Sequence, residues 1–148
     1  MSNRARSNPQ QPTDDVWPIF QHLIGLKRSG RHQEADEGYK RLSEKEINEP
    51  WNYPHVLKAW AKVKICLGEY EKAATMMDEA SSLFRGIGNT TDAWQCSDQA
   101  NTIKNRHKNR QEFIDYVRAA SGGSVEYLNK LQFVRTMPTI KFIFSGVR

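Results

Sequence analysis

Four cations fall within seven residues, at Lys104, Arg106, Lys108 and Arg110. On a helix, Lys104 and Lys108 would lie one turn apart on one face, and Arg106 and Arg110 on another. A spread of that kind suits a solvated surface. It also suits a patch that contacts phosphates or an acidic partner. No aromatic side chain is interleaved with it to stack on bases, which argues against RNA as the first choice. His22, His32, His55 and His107 are scattered, with no pair at the i, i+4 spacing of a helical zinc site. Cys66 and Cys96 lack partner cysteines, so neither a metal nor a cofactor is expected. Nothing orients a Cys–His nucleophile, and the two thiols read as reduced and packed. Gly86-Ile87-Gly88 is too short for a phosphate loop and follows a helical pattern, not a strand. Glu44, Glu46 and Glu49 read as a solvated helix face and loop. The sequence holds no catalytic constellation, and a non-enzymatic protein is expected.

The chain of 148 residues fits one domain, or one domain with a tail. Its net charge of +5, from 22 Lys and Arg against 17 Asp and Glu, is mildly basic. No apolar run approaches the roughly 18 residues of a membrane span, and the first 15 residues hold no signal-peptide core. The expected location is cytoplasmic, with no membrane partner. Residues 1–14 are polar and read as a flexible arm. Asp14 or Asp15 could cap a first helix, with Pro18 in its first turn. Apolar residues then recur at helical spacing. Val16, Ile19, Phe20, Leu23, Ile24 and Leu26 form one stripe, stopped by Ser29-Gly30. Ala35, Tyr39 and Leu42 share the next, which ends near Ile47 before Pro50. Val56, Leu57, Trp60, Ala61, Val63 and Ile65 precede Leu67-Gly68. Tyr70, Ala73, Ala74, Met77, Ala80, Leu83 and Phe84 follow it. Thr91-Asp92 could cap a fifth helix with Ala93, Trp94, Ala100 and Ile103. After the basic stretch, Phe113, Ile114, Tyr116 and Val117 suggest a sixth, and Val125, Leu128 and Leu131 a seventh. Residues 139–144 (TIKFIF) read as a strand, either paired with another chain or laid as a tail on the helices.

Self-comparison at an offset of 38 aligns Gly30, His32, Ala35, Tyr39 and Leu42 with Gly68, Tyr70, Ala73, Met77 and Ala80. The glycine permits a tight helix–helix turn. The alanine lets the two helices approach, and the larger residues pack on the neighbouring pair. Gly68-Glu69-Tyr70-Glu71-Lys72-Ala73 resembles the turn and second helix of the tetratricopeptide repeat. Gly30-Arg31-His32-Gln33-Glu34-Ala35 is a looser match, and Ile87-Gly88-Asn89 is similar to the linker of longer-period members. The resemblance is clearest over residues 53–85 and looser over 16–119. His22-Leu23 and Trp60-Ala61 replace the family's usual Leu-Gly, and Ile47 and Arg85 stand where it often has proline. A third unit would turn at Asn105. Arg110 stands where its small residue belongs, so that unit is either degenerate or a single long helix.

The resemblance implies an all-α fold: antiparallel helical hairpins stacked as a short right-handed solenoid over residues 15–133, with residues 124–133 as a capping helix and 134–148 as a tail or strand. It implies a protein-interaction module, an adaptor or scaffold that takes a peptide or helix in the concave groove lined by the first helix of each pair. The cationic clamp of chaperone-tail receptors is missing, since Trp17, Gln21, His55 and Ala59 occupy its places. The groove would instead present Trp17, Gln21, His55, Lys58, Lys62 and Gln95, although Trp17, Trp60 and Trp94 could equally be core. A homodimer through residues 139–144 is a further possibility, and nucleic acid held by residues 104–110 is the alternative function. In the hairpin, Ala73 should sit in the helix seam, with Ala74 less sensitive to enlargement.

Overall fold

The computed structural model describes residues 4–6, 8 and 10–121. The expected strand at 139–144, the seventh helix at 124–133 and the boundary at 133/134 lie outside them. Among the described residues the chain is all-α, with no strand and five helices: α1 (Trp17–Arg28), α2 (His32–Glu46), α3 (Asn52–Cys66), α4 (Tyr70–Gly86) and α5 (Thr90–Ser121). None of these is long and apolar enough to cross a membrane. The chain divides into two compact units, residues 1–101 and 102–148.

In the first unit each helix packs on the next: α1 on α2, α2 on α3, α3 on α4. Three of the connections share one turn. Gly30, Gly68 and Gly88 have φ of 84°, 78° and 80°, the left-handed region where a side chain is costly. Each glycine N–H donates to the carbonyl three residues back, and the next N–H donates to the carbonyl five back. This paired closure satisfies the helix's last carbonyls. In every case a fully buried alanine follows five residues after the glycine, at Ala35, Ala73 and Ala93. A side chain at these glycines would meet nothing within 4 Å. The requirement for glycine is therefore one of backbone conformation.

The core of the first unit gathers Val16, Phe20, Leu23 and Leu26 with Ala35, Tyr39 and Leu42 of α2 and Val56 and Val63 of α3. These are the stripes expected from periodicity, with Ile19 left partly exposed. Trp60 is half-buried; its indole N–H donates to Asp36 Oδ1 at 2.7 Å. Lys64 is buried beside it, 2.9 Å from Asp36 and 3.0 Å from Glu69, so its charge is answered on both sides. Gly38 lies where a Cβ would come within 2.2 Å of Leu23 Cδ2, which permits the close approach of α1 and α2.

Several local expectations are corrected. Asp15 does not cap α1: the N-cap is Val16, with no side-chain bond. The Asp15 carboxylate instead accepts from Arg4 Nε at 2.9 Å and from the Thr13 hydroxyl at 2.6 Å. At α5 the cap is Asn89 rather than Thr91 or Asp92. Asn89 Oδ1 accepts from the Asp92 N–H at 3.2 Å, and its amide donates to Asp92 Oδ2 at 2.7 Å. The fifth and sixth helices are one helix of 32 residues, the single long helix that Arg110 left open for the third unit. Asn105 lies inside it and makes no turn. No glycine or proline occurs between residues 89 and 121, and Lys and Arg favour helix, so nothing ends it. Trp94 is not core: it is 68% exposed.

The segment expected to be a flexible arm supplies buried groups. Pro12 and Thr13 are buried. The Thr13 N–H donates to Asn52 Oδ1 at 2.8 Å, and Asn52 Nδ2 donates to Thr13 Oγ1 at 2.9 Å and to Glu46 Oε1 at 2.8 Å. Arg4 Nη1 closes the network on Glu46 at 2.6 Å. Asn52 is fully buried and every polar atom of its side chain is used. The network holds the α2–α3 connection, the one junction that lacks a left-handed glycine.

Ala74 differs from expectation as well. It is 3% exposed against 0% for Ala73, so enlarging either overpacks the interior. Ala73→Leu and Ala74→Leu should each cost about 1–3 kcal/mol, and Gly68→Ala about 1–2 kcal/mol through its backbone alone. Urea melts of the three variants beside the parent check this. A neutral Ala74→Leu would show that α4 presents a different face to its neighbours.

Candidate functional site

A cleft of about 240 Å³ lies between α1 and α3 in the first unit. Trp17, Phe20, Ile24, Lys27 and Arg28 enter it from α1 at the i, i+3, i+7 spacing of one face. His55, Lys58, Ala59 and Lys62 enter it from α3 at i, i+3, i+4, i+7. Tyr39 of α2 contributes, and Gln10 and Pro12 border the cleft from the N-terminal segment.

One wall is aromatic. Trp17 and Phe20 lie 6.4 Å apart and nearly parallel, and Phe20 meets Tyr39 edge-on at 6.0 Å. Burial pushes the Tyr39 phenol up to about 12, so it stays protonated. His55 is 6% exposed and packs edge-on against Phe84 at 4.8 Å. Its Nε2 is buried without a hydrogen-bond partner. Burial above all lowers its pKa, to about 4, with Asp92 pulling the other way and Lys58 adding to the drop. At neutral pH the imidazole is therefore uncharged.

The charged residues of the cleft are Lys27, Arg28, Lys58 and Lys62, and no carboxylate lines it. Lys58 donates to Asp92 Oδ1 at 2.8 Å and to Gln95 Oε1 at 3.0 Å. It thus ties α3 to the first turns of α5. Lys62 remains exposed. Burial around its ammonium group and repulsion from Lys58 and Lys27 nevertheless hold its pKa below the ordinary lysine value.

Of the six groove residues expected from sequence, Trp17, His55, Lys58 and Lys62 line this one cleft. Gln95 reaches it only as the partner of Lys58, and Gln21 is exposed on α1 away from the lining. Sequence reading missed Lys27 and Arg28, which lie at the end of the α1 stripe and on the same side as Trp17. Extending the i, i+3, i+7 count by one more turn would have found them.

The basic stretch belongs to the second unit, where Lys104, Arg106 and Lys108 are exposed and Arg110 is half-buried. Lys108 lies 3.8 Å from Glu112 one turn on, a solvated pair of small energy. A larger groove of about 530 Å³ runs along α1 and α2. Its floor includes Leu23, Leu26 and Leu42, and its rim carries both signs, Glu34 and Glu37 with Arg41 and Lys45. It contains none of the expected site residues. Cys96 is buried, its thiol pushed up to about 11 by that burial, whereas Cys66 is exposed. Among the described residues no three His, Cys, Asp or Glu side chains converge to hold a metal.

The depressed pKa of His55 has a signed consequence. Above pH 6.5 the imidazole is neutral both folded and unfolded. Below 6.5 the unfolded chain takes up the proton while the folded chain resists until about 4. Stability should therefore fall as pH drops, by up to about 2 kcal/mol between pH 6.5 and 5. Asp15, held down to about 2 mainly by its hydrogen bonds from Arg4 and then Thr13, loses its share only below about pH 4. Urea melts across this range check the slope, and His55→Gln should flatten it whatever its absolute stability. An unaltered slope in that variant would contradict the assignment. No protein-family model, curated protein or solved structure matches this chain.

Proposed function

We propose that the first unit is a non-enzymatic protein-interaction module, an adaptor or scaffold whose α1–α3 cleft receives an extended peptide or a helix. The observation that carries this reading is the cleft itself: an aromatic wall beside unpaired cations, built from one face of each of two helices. No serine, threonine, cysteine or carboxylate lines it, and it has the mix of apolar body and few polar groups that suits a bound side chain.

The turn geometry supports a tetratricopeptide-like arrangement. In this reading α1–α2 and α3–α4 are two hairpins, and the start of α5 takes the place of the next first helix. Its Asp92 and Gln95 receive Lys58, and the Ser81 hydroxyl of α4 donates to the Ala93 carbonyl at 2.7 Å. First helices would then line the concave side of a right-handed solenoid, and α1 and α3 are those helices. We place the protein in the cytoplasm on the same reading.

Display selection of random 12-residue peptides on the whole protein tests the proposal. Lys62→Glu should weaken the selected peptides about tenfold, close to 1.4 kcal/mol, while Lys40→Glu on exposed α2 should not. Selected peptides that bind both variants and the parent alike would place recognition elsewhere. Enrichment of nothing but binders sensitive to charge reversal at Arg106 and Lys108 would favour the basic stretch.

A further inference from the structure

The charge pattern of the α1–α3 cleft points to a narrower class of ligand, and this step rests on the reading of the cleft as a peptide site. Four cations and no carboxylate line it. Lys58 is answered by Asp92. Lys27, Arg28 and Lys62 have no ion-pair or hydrogen-bond partner among the described residues, in a chain where Arg4, Lys64 and Lys72 are all paired. Cations that crowd one cleft repel one another, and that repulsion contributes to the lowered pKa of Lys62. The molecule leaves these three cations without an ion-pair partner beside a wall of aromatic rings and an uncharged imidazole.

We propose that the cleft binds a phosphate monoester carried on a side chain of the partner peptide. Three unanswered cations exceed what one carboxylate can neutralise, whereas a phosphate monoester carries about −1.5 to −2 at pH 7 and three acceptor oxygens. The Arg28 guanidinium offers a planar fork that matches two of those oxygens, and Lys27 and Lys62 supply point charges. Trp17, Phe20 and Ile24 give the adjoining peptide residue an apolar surface. At about 240 Å³ the space suits one side chain and is bordered by Gln10 and Pro12. An open cationic track, as single-stranded nucleic acid needs, is a different geometry.

The test uses the full chain and three sets of fluorescent nonapeptide libraries: phosphorylated at the central serine, threonine or tyrosine, the same residues unmodified, and glutamate in their place. Fluorescence polarisation should show the phosphorylated libraries binding at least tenfold tighter than the unmodified ones, with glutamate weaker than phosphate. Arg28→Glu and Lys62→Glu, both at exposed positions and checked for helicity by circular dichroism, should each remove that preference, and Lys40→Glu should keep it. Equal binding of phosphorylated and unmodified libraries overturns the phosphate inference and leaves the peptide site standing. Equal binding of glutamate and phosphate libraries overturns it too, in favour of a general acidic site. No binding by any library overturns both readings. A uridine oligonucleotide that binds and is lost in Arg28→Glu, with no phosphopeptide binding, assigns the cleft to nucleic acid instead.

Discussion

The arrangement of the first unit depends on one backbone constraint: a residue in the left-handed region just past the C-cap of a helix. At Gly30, Gly68 and Gly88 that conformation closes the helix on its own carbonyls and reverses the chain within three residues. The next residue opens the following helix, and the alanine five positions past the glycine meets the interior with almost no exposed surface. A larger residue there would hold the two helices apart. A residue with a Cβ at the glycine would strain the turn without touching anything. The turn thus fixes both the direction of the next helix and how closely it packs.

The cleft is a consequence of that spacing. With α1 and α3 set against the same α2 core, residues one and two turns apart on each helix face a common space. Two polar ties hold its margins. The Thr13–Asn52–Glu46–Arg4 network secures the α2–α3 connection and with it the start of α3. Lys58 with Asp92 and Gln95 secures α3 to the beginning of α5. Both ties are buried or half-buried, where an unmatched partner would be costly. Polar residues near the cleft therefore divide into those that hold the helices and those left unpaired, and Lys27, Arg28 and Lys62 belong to the second group.

Much of the local structure was legible from residue type. Gly30 and Gly68, their alanines and the stripes of α1 to α4 could be read because periodicity and left-handed turns depend on short-range chemistry. The same glycine-to-alanine interval also joins Gly88 to Ala93, which an offset of 38 does not reveal. What could not be read depends on partners distant in sequence. Asn52 looks like a loop residue until Thr13 and Glu46 are brought to it, and Lys58 looks free until Asp92 arrives. Asp15 is a plausible cap whose carboxylate is taken by Arg4. The continuity of α5 is legible only as one of two options, because the polar stretch at 104–110 resembles a loop by composition, although it contains no residue that breaks a helix. Four of the six expected groove residues line one cleft because they share helix faces. Gln21 does not, since it points off the α1 stripe.

The account stands or falls on whether ligands enter between α1 and α3. Two-dimensional NMR of isotope-labelled full-length protein, titrated with a peptide obtained by display selection, tests this most directly. The account predicts the largest shifts at the Trp17 indole, the His55 ring and the backbone of Lys58 to Lys62, with the Leu23–Gly38 side of α1 and α2 little changed. Shifts confined to residues 104–118, or to the groove edged by Glu37 and Arg41, would contradict it.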